Sequence, residues 1–173
     1  MRIVLLGDSH LARVQRDLGR IGDPIVNAAA GGACVLDLLA QARSVPIAAT
    51  DTVVVSVGTN DAAPWKAVPL VRFGTTLEDF LVQVRPARLV YLASPGVDEA
   101  RVLGAADRTD QTMAAYRKSA ADRFEAAGAH VIDSPALLAA LGSRAFLDDG
   151  VHLTGAAYDV LLPAVAEACG SPI

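Results

Sequence analysis

The amino-acid sequence predicts an α/β fold: a parallel sheet sandwiched in three layers between helices. Two observations carry this. Short apolar runs rich in Val, Ile and Leu recur along the chain, as strands buried on both faces require. Longer stretches with the 3.6-residue period of helices separate them, and that alternation implies right-handed βαβ crossovers.

The elements follow in order. Residues 3–6 form the first apolar run, and helical periodicity covers 10–19. A short run at 25–26 precedes a helix over 35–43, and the Val-rich run 52–57 precedes one over 76–84. The run 89–92 is followed by the longest irregular stretch, 95–104, and then by a helix over 110–127. The last strand, 130–132, leads to a short helix over 135–141 and a final one over 155–169. Thr154 has the residue type and position of the N-cap of that final helix.

Bulk properties narrow the function classes. The chain has 173 residues, enough for one domain (1–173) with a substantial core. Its formal charge of −4, with 15 scattered Lys and Arg residues, provides no basic face for nucleic acid or anionic lipid. No apolar run reaches membrane-spanning length, and the apolar residues after Met1 are too few for a signal-peptide core. With Met1 as the start, the expectation is a cytoplasmic protein. Cys34 and Cys169 match no zinc spacing and do not point to a disulfide framework. Oligomeric state has no signature here.

In open α/β sheets ligands bind outside the carboxyl ends of the strands, and polar clusters fall there repeatedly. Asp8-Ser9-His10 follows the first strand, Asn27 through Gly32 the second, and Gly58-Thr59-Asn60-Asp61 the third, while Asp148-Asp149-Gly150-Val151-His152 precedes the last helix. A serine after a strand and before a helix is most simply a helix cap. It becomes a nucleophile only when an imidazole takes its proton, and His152 can supply one. That imidazole needs a carboxylate to fix its tautomer and stabilise its cation, a role Asp149 can fill from three residues away. Donors for an oxyanion are available from the Gly32 and Ser9 amides and the Asn60 side chain. Taken singly, Gly31-Gly32 is a turn and Asn60 an Asx-turn.

Together the four blocks resemble the SGNH (GDSL-type) hydrolase superfamily. Its Ser, Gly, Asn and His blocks are matched in order by Gly7-Asp8-Ser9, Asn27 with Gly32, Gly58-Thr59-Asn60-Asp61, and Asp149-Gly150-Val151-His152. The resemblance implies a flavodoxin-like sheet of five parallel strands and an acyl-enzyme mechanism without metal or cofactor. Ser9 would attack, His152 would shuttle the proton and Asp149 would orient it. Ser9, Gly32 and Asn60 would form the oxyanion hole. The expected partner is a small-molecule or carbohydrate acyl ester, with short acyl or acetyl groups favoured because the compact chain leaves no room for a cap domain. Acyl transfer or thioester cleavage would use the same triad; a non-catalytic flavodoxin-like binding module is the reading from another class. His10 departs from the Leu or Ile usual in the family: it is either a half-buried or surface histidine or a substrate contact, and Trp65 either walls the substrate pocket or packs on a helix. Gly31 beside Gly32, and Asp148 beside Asp149, leave each assignment open by one residue. The absence of a Gly-x-Ser-x-Gly elbow argues against an α/β-hydrolase.

Overall fold

A computed structural model of the chain describes residues 1–102 and 107–170. Its five strands are β1 (Ile3–Gly7), β2 (Ile25–Asn27), β3 (Thr52–Ser56), β4 (Arg88–Leu92) and β5 (His130–Ile132). All pairings are parallel, in the order β2-β1-β3-β4-β5. The order reverses between β1 and β3, which makes that edge the switch point where such sheets bind ligands.

Alternate strand residues feed two cores. Ile3 and Leu5 of β1, Val54 and Val90 pack on one face with Leu11, Leu161 and Val165. Val4, Leu6, Val53, Val55 and Tyr91 pack on the other with Leu38, Phe73, Phe80 and Phe124. Tyr91 stacks on Phe124 with ring centroids 4.6 Å apart. The two cysteines are free and buried, Cys169 in the first core and Cys34 in the second, so the sheet lies between them.

The helices are α1 (Ser9–Ala12), α2 (Leu38–Ser44), α3 (Leu70–Gln83), α4 (Asp110–Ala126), α5 (Ser134–Leu138) and α6 (Gly155–Ala168). Several differ from the periodicity. The helix expected over 10–19 is one α-turn followed by 3₁₀ turns at Arg13–Arg16 and Leu18–Arg20. The one expected over 35–43 opens with a 3₁₀ turn, Val35–Asp37. Helix α3 begins six residues before the expected 76, after Pro69 at its N-cap. Leu70 and Val71 point to solvent there, Val71 being 80% exposed, and apolar residues on the wet face hide the period. The short helix expected over 135–141 stops at Leu138 and is followed by a 3₁₀ turn at Gly142–Ala145. Thr154 caps α6 as expected, accepting from the Ala157 amide. The end of the irregular stretch 95–104, from residue 103, lies outside the described residues.

Candidate active site

The loop carrying Ser9 leaves β1 under tight constraint. Gly7 has φ +120°, and a Cβ there would lie 1.9 Å from the Ser56 carbonyl oxygen. Only glycine fits this contact between β1 and β3. The Gln41 side chain from α2 brackets the same residue, accepting from its amide at 2.6 Å and donating to its carbonyl at 2.9 Å. Asp8 then caps α1 by accepting from the His10 amide at 3.0 Å. Capping of this kind contributes about 1 kcal/mol. The Ser9 amide, at the first position of the helix, has no intrahelical acceptor.

Asp61 joins the second and third loops. Its carboxylate accepts from the Val35 amide at 2.9 Å and the Gly58 amide at 3.0 Å. Asn60 donates one amide hydrogen to the Ala33 carbonyl at 2.9 Å, which leaves its second hydrogen for a ligand. Asn27 holds the Gly32 loop to α1, donating to the Leu11 carbonyl at 2.9 Å and accepting from the Ala29 amide at 3.0 Å.

The last loop is wound around one carboxylate. Asp149 Oδ1 accepts from the Val151 and His152 amides, both at 2.9 Å, and Oδ2 meets His152 Nδ1 at 2.6 Å. Burial works to raise the Asp149 pKa, but the hydrogen bonds from the His152 ring and the two amides outweigh it and hold it at about 2. The carboxylate is therefore ionised and can only accept, which puts the ring proton on Nδ1 and leaves Nε2 as an acceptor. Gly150 (φ +68°) lets the loop pass close to the Asp98 carbonyl, where a Cβ would sit at 2.6 Å. Between Asp148 and Asp149, it is Asp149 that meets the ring.

Ser9, Gly32, Asn60, Asp149 and His152 line one cavity of about 340 Å³, together with Val151, Asp107 and Arg108. That volume is at the low end of small-molecule sites. Gly32 lines this cavity, whereas Gly31 lines a neighbouring one. Among the described residues no group of three or more His, Cys, Asp or Glu side chains is placed to hold a metal.

The two candidates for the substrate pocket stand elsewhere. His10 does not line the cavity: it is buried, with Nε2 sharing a 3.2 Å hydrogen bond with Thr59 Oγ1, which in turn meets Ser94 Oγ at 2.9 Å. Turning with the helix away from Ser9, it faces the core beneath Thr59. Trp65 does not line the cavity either; it is 65% exposed and packs against Arg108, whose guanidinium carbon is 4.8 Å from its ring centroid. Arg108 forms the wall instead. It and Asp107 carry no local sequence signal, because they lie in an irregular loop with no periodicity.

Buried charge beneath the site makes stability depend on pH. Burial pushes the Asp8 carboxyl up to about 7 despite the opposing His10 amide, and Asp61 up to about 6 despite its two amide donors. Burial pushes His10 down to about 3. For each aspartate the folded pKa exceeds the unfolded one, so the folded state holds more protons and stability falls as pH rises from about 4 towards 7. His10 acts the other way, with stability rising between pH 3 and about 6.5. Two falling contributions against one rising contribution leave a net fall between pH 4 and 6, at most about 1.4 kcal/mol per pH unit for one proton. In Asp8→Asn that slope should flatten. Urea midpoints of both proteins from pH 4.5 to 7 check this, and parallel slopes would refute it.

A model of the family described as GDSL-like Lipase/Acylhydrolase matches residues 6–160. No curated protein matches the chain in a sequence search. Among solved structures, the lipase/acylhydrolase from Enterococcus faecalis superposes with a TM-score of 0.78 at 22% identity, over 98% of this chain and 95% of that one. Axe2, an acetylxylan esterase from Geobacillus stearothermophilus, gives 0.75 at 18% identity over 99% and 94%. LAE5, described as an alpha/beta hydrolase enzyme from the metagenome of Lake Arreo, Spain, gives 0.72 at 19% over 98% and 94%. At these identities the superpositions speak for the fold, while the family match spans most of the chain. The chain belongs to the GDSL-like lipase/acylhydrolase family and is a carboxylic ester hydrolase.

Proposed function

We propose that this hydrolase cleaves short acyl esters, acetyl esters among them, through an acyl-enzyme on Ser9. The Asp149–His152 pair, facing the same small cavity as Ser9, carries the proposal. His152 Nε2 takes the Ser9 hydroxyl proton as Oγ attacks the ester carbonyl carbon, and Asp149 stabilises the imidazolium that forms. The carbonyl oxygen gains its charge against the Ser9 and Gly32 amides and the second hydrogen of Asn60 Nδ2. Collapse breaks the bond to the alkoxy oxygen, which leaves with the proton from His152. Water then enters, gives a proton to Nε2 and attacks the acyl carbon, releasing the acid and restoring Ser9.

The cavity size favours small acyl groups, and the similarity to Axe2 favours an acetylated carbohydrate as one substrate. Labelling with a fluorophosphonate followed by peptide mass mapping tests the nucleophile: the adduct is expected on the peptide containing Ser9. Kinetics on p-nitrophenyl esters of increasing acyl length should peak at acetate or propionate. An unlabelled Ser9 peptide in folded protein, or a rate maximum at long chains, would contradict the proposal.

Asn60→Ala should lower kcat by about 10²–10³-fold with a smaller change in KM, because an oxyanion donor acts mainly in the transition state. Steady-state kinetics on p-nitrophenyl acetate measures this. A rise in KM at constant kcat would assign Asn60 to ground-state binding.

A further inference from the structure

Asp107 and Arg108 stand outside the four sequence blocks, yet they form one wall of the catalytic cavity. The Arg108 side chain is only 5% exposed and is fixed on three sides. Its Nε donates to Asp107 Oδ1 at 2.9 Å, its Nη1 donates to the Thr59 carbonyl at 3.1 Å, and Trp65 lies against its plane. Asp107 is engaged through Oδ1 alone, which also accepts the Arg108 amide. Among the described residues neither Arg108 Nη2 nor Asp107 Oδ2 has a hydrogen-bond partner. Both residues line the cavity, so one guanidinium NH₂ and one carboxylate oxygen are the polar atoms that this wall has left for a ligand.

We propose that this pair is a subsite for a hydroxyl group on the substrate, close to the scissile ester. The proposal rests on the hydrolase reading above and adds a specificity determinant to it. A hydroxyl can give its hydrogen to Asp107 Oδ2 while its oxygen accepts from Arg108 Nη2. An alkyl group in the same place would strip water from both atoms and return nothing, which is why such walls discriminate against the analogue that lacks the hydroxyl. An anion fits less well, since the attraction of Arg108 is offset by Asp107 beside it. The Thr59 bond also places the guanidinium next to Asn60, so the bound hydroxyl lies near the reacting carbonyl.

The hydroxyl could come from the alcohol half or the acyl half of the ester, and two matched pairs separate these. Glycerol 1-monoacetate against propyl acetate reads the alcohol side. Ethyl 3-hydroxybutyrate against ethyl butyrate reads the acyl side. For each pair the ratio of kcat/KM, hydroxylated over plain, is measured in wild type, Asp107→Ala and Arg108→Met. At least one ratio is expected to fall about 10- to 100-fold in both variants, and the pair that moves identifies the side. Asp107→Ala keeps the Arg108–Thr59 bond, so it reports on recognition even where Arg108→Met disturbs the loop. An active enzyme whose ratios stay within twofold in Asp107→Ala overturns the subsite, as does equal loss on both members of each pair. Wild-type protein inactive on all four esters and on p-nitrophenyl acetate would overturn the short-acyl ester proposal, and the subsite with it.

Discussion

Ser9→Ala is expected to lower kcat on p-nitrophenyl acetate by at least about 10⁴-fold, roughly 5 kcal/mol of transition-state stabilisation. The size follows from what alanine leaves behind. His152 and the amide donors would remain, but the acyl-enzyme could not form and only direct attack by water would be left. The fold has little reason to change, since Ser9 makes no side-chain hydrogen bond among the described residues and α1 is capped by Asp8. Although Ser9 is buried, the variant loses a hydroxyl with no protein partner, so its unfolding free energy should stay within about 1 kcal/mol of wild type with a nearly unchanged urea midpoint. Loss of activity with an intact midpoint identifies a nucleophile; loss of both identifies a structural serine. Residual hydrolysis and fluorophosphonate labelling equal to wild type would remove Ser9 from the mechanism.

The sheet was legible in the sequence because strands buried on both faces must be apolar throughout, as Val53, Val54 and Val55 are. The helices were legible only where one face is wet. Helix α3 lost its first turn to the exposed Leu70 and Val71, and the first helix was overestimated because the chain tightens into 3₁₀ turns after Ala12. The candidate site residues stood out by the order of the four blocks and their resemblance to a family, since each block alone reads as a cap or a turn. Side chains that act through distant partners did not stand out. Gln41 reaches Gly7 from 34 positions away, and Arg108 reaches Thr59 from 49. Neither has a neighbour in sequence that would mark it. For His10 the turn of about 100° between successive helix residues points the ring away from Ser9, but its partner Thr59, 49 positions on, has no local signal.

Asp149→Asn should lower kcat nearly as far as the loss of Ser9, by about 10⁴-fold, through the tautomer of His152. With the ionised carboxylate, Nδ1 must donate and Nε2 must accept, which is the state a base for Ser9 needs. An asparagine amide at that position can turn its NH₂ towards Nδ1, which favours the tautomer with hydrogen on Nε2 and removes the acceptor. The carbonyl of the same amide can still take the Val151 and His152 amides now held by Oδ1, so the loop has the means to stay wound. That separates this variant from Asp149→Ala, which would lose those two bonds as well and should cost stability in addition to rate. Because hydrogen bonding holds the Asp149 pKa at about 2, the carboxylate stays ionised through any assay above pH 4. Its protonation therefore cannot supply an acid limb in the wild-type rate profile there. A kcat for Asp149→Asn within tenfold of wild type, in protein with a normal urea midpoint, would show that His152 keeps its proton on Nδ1 without help from this carboxylate.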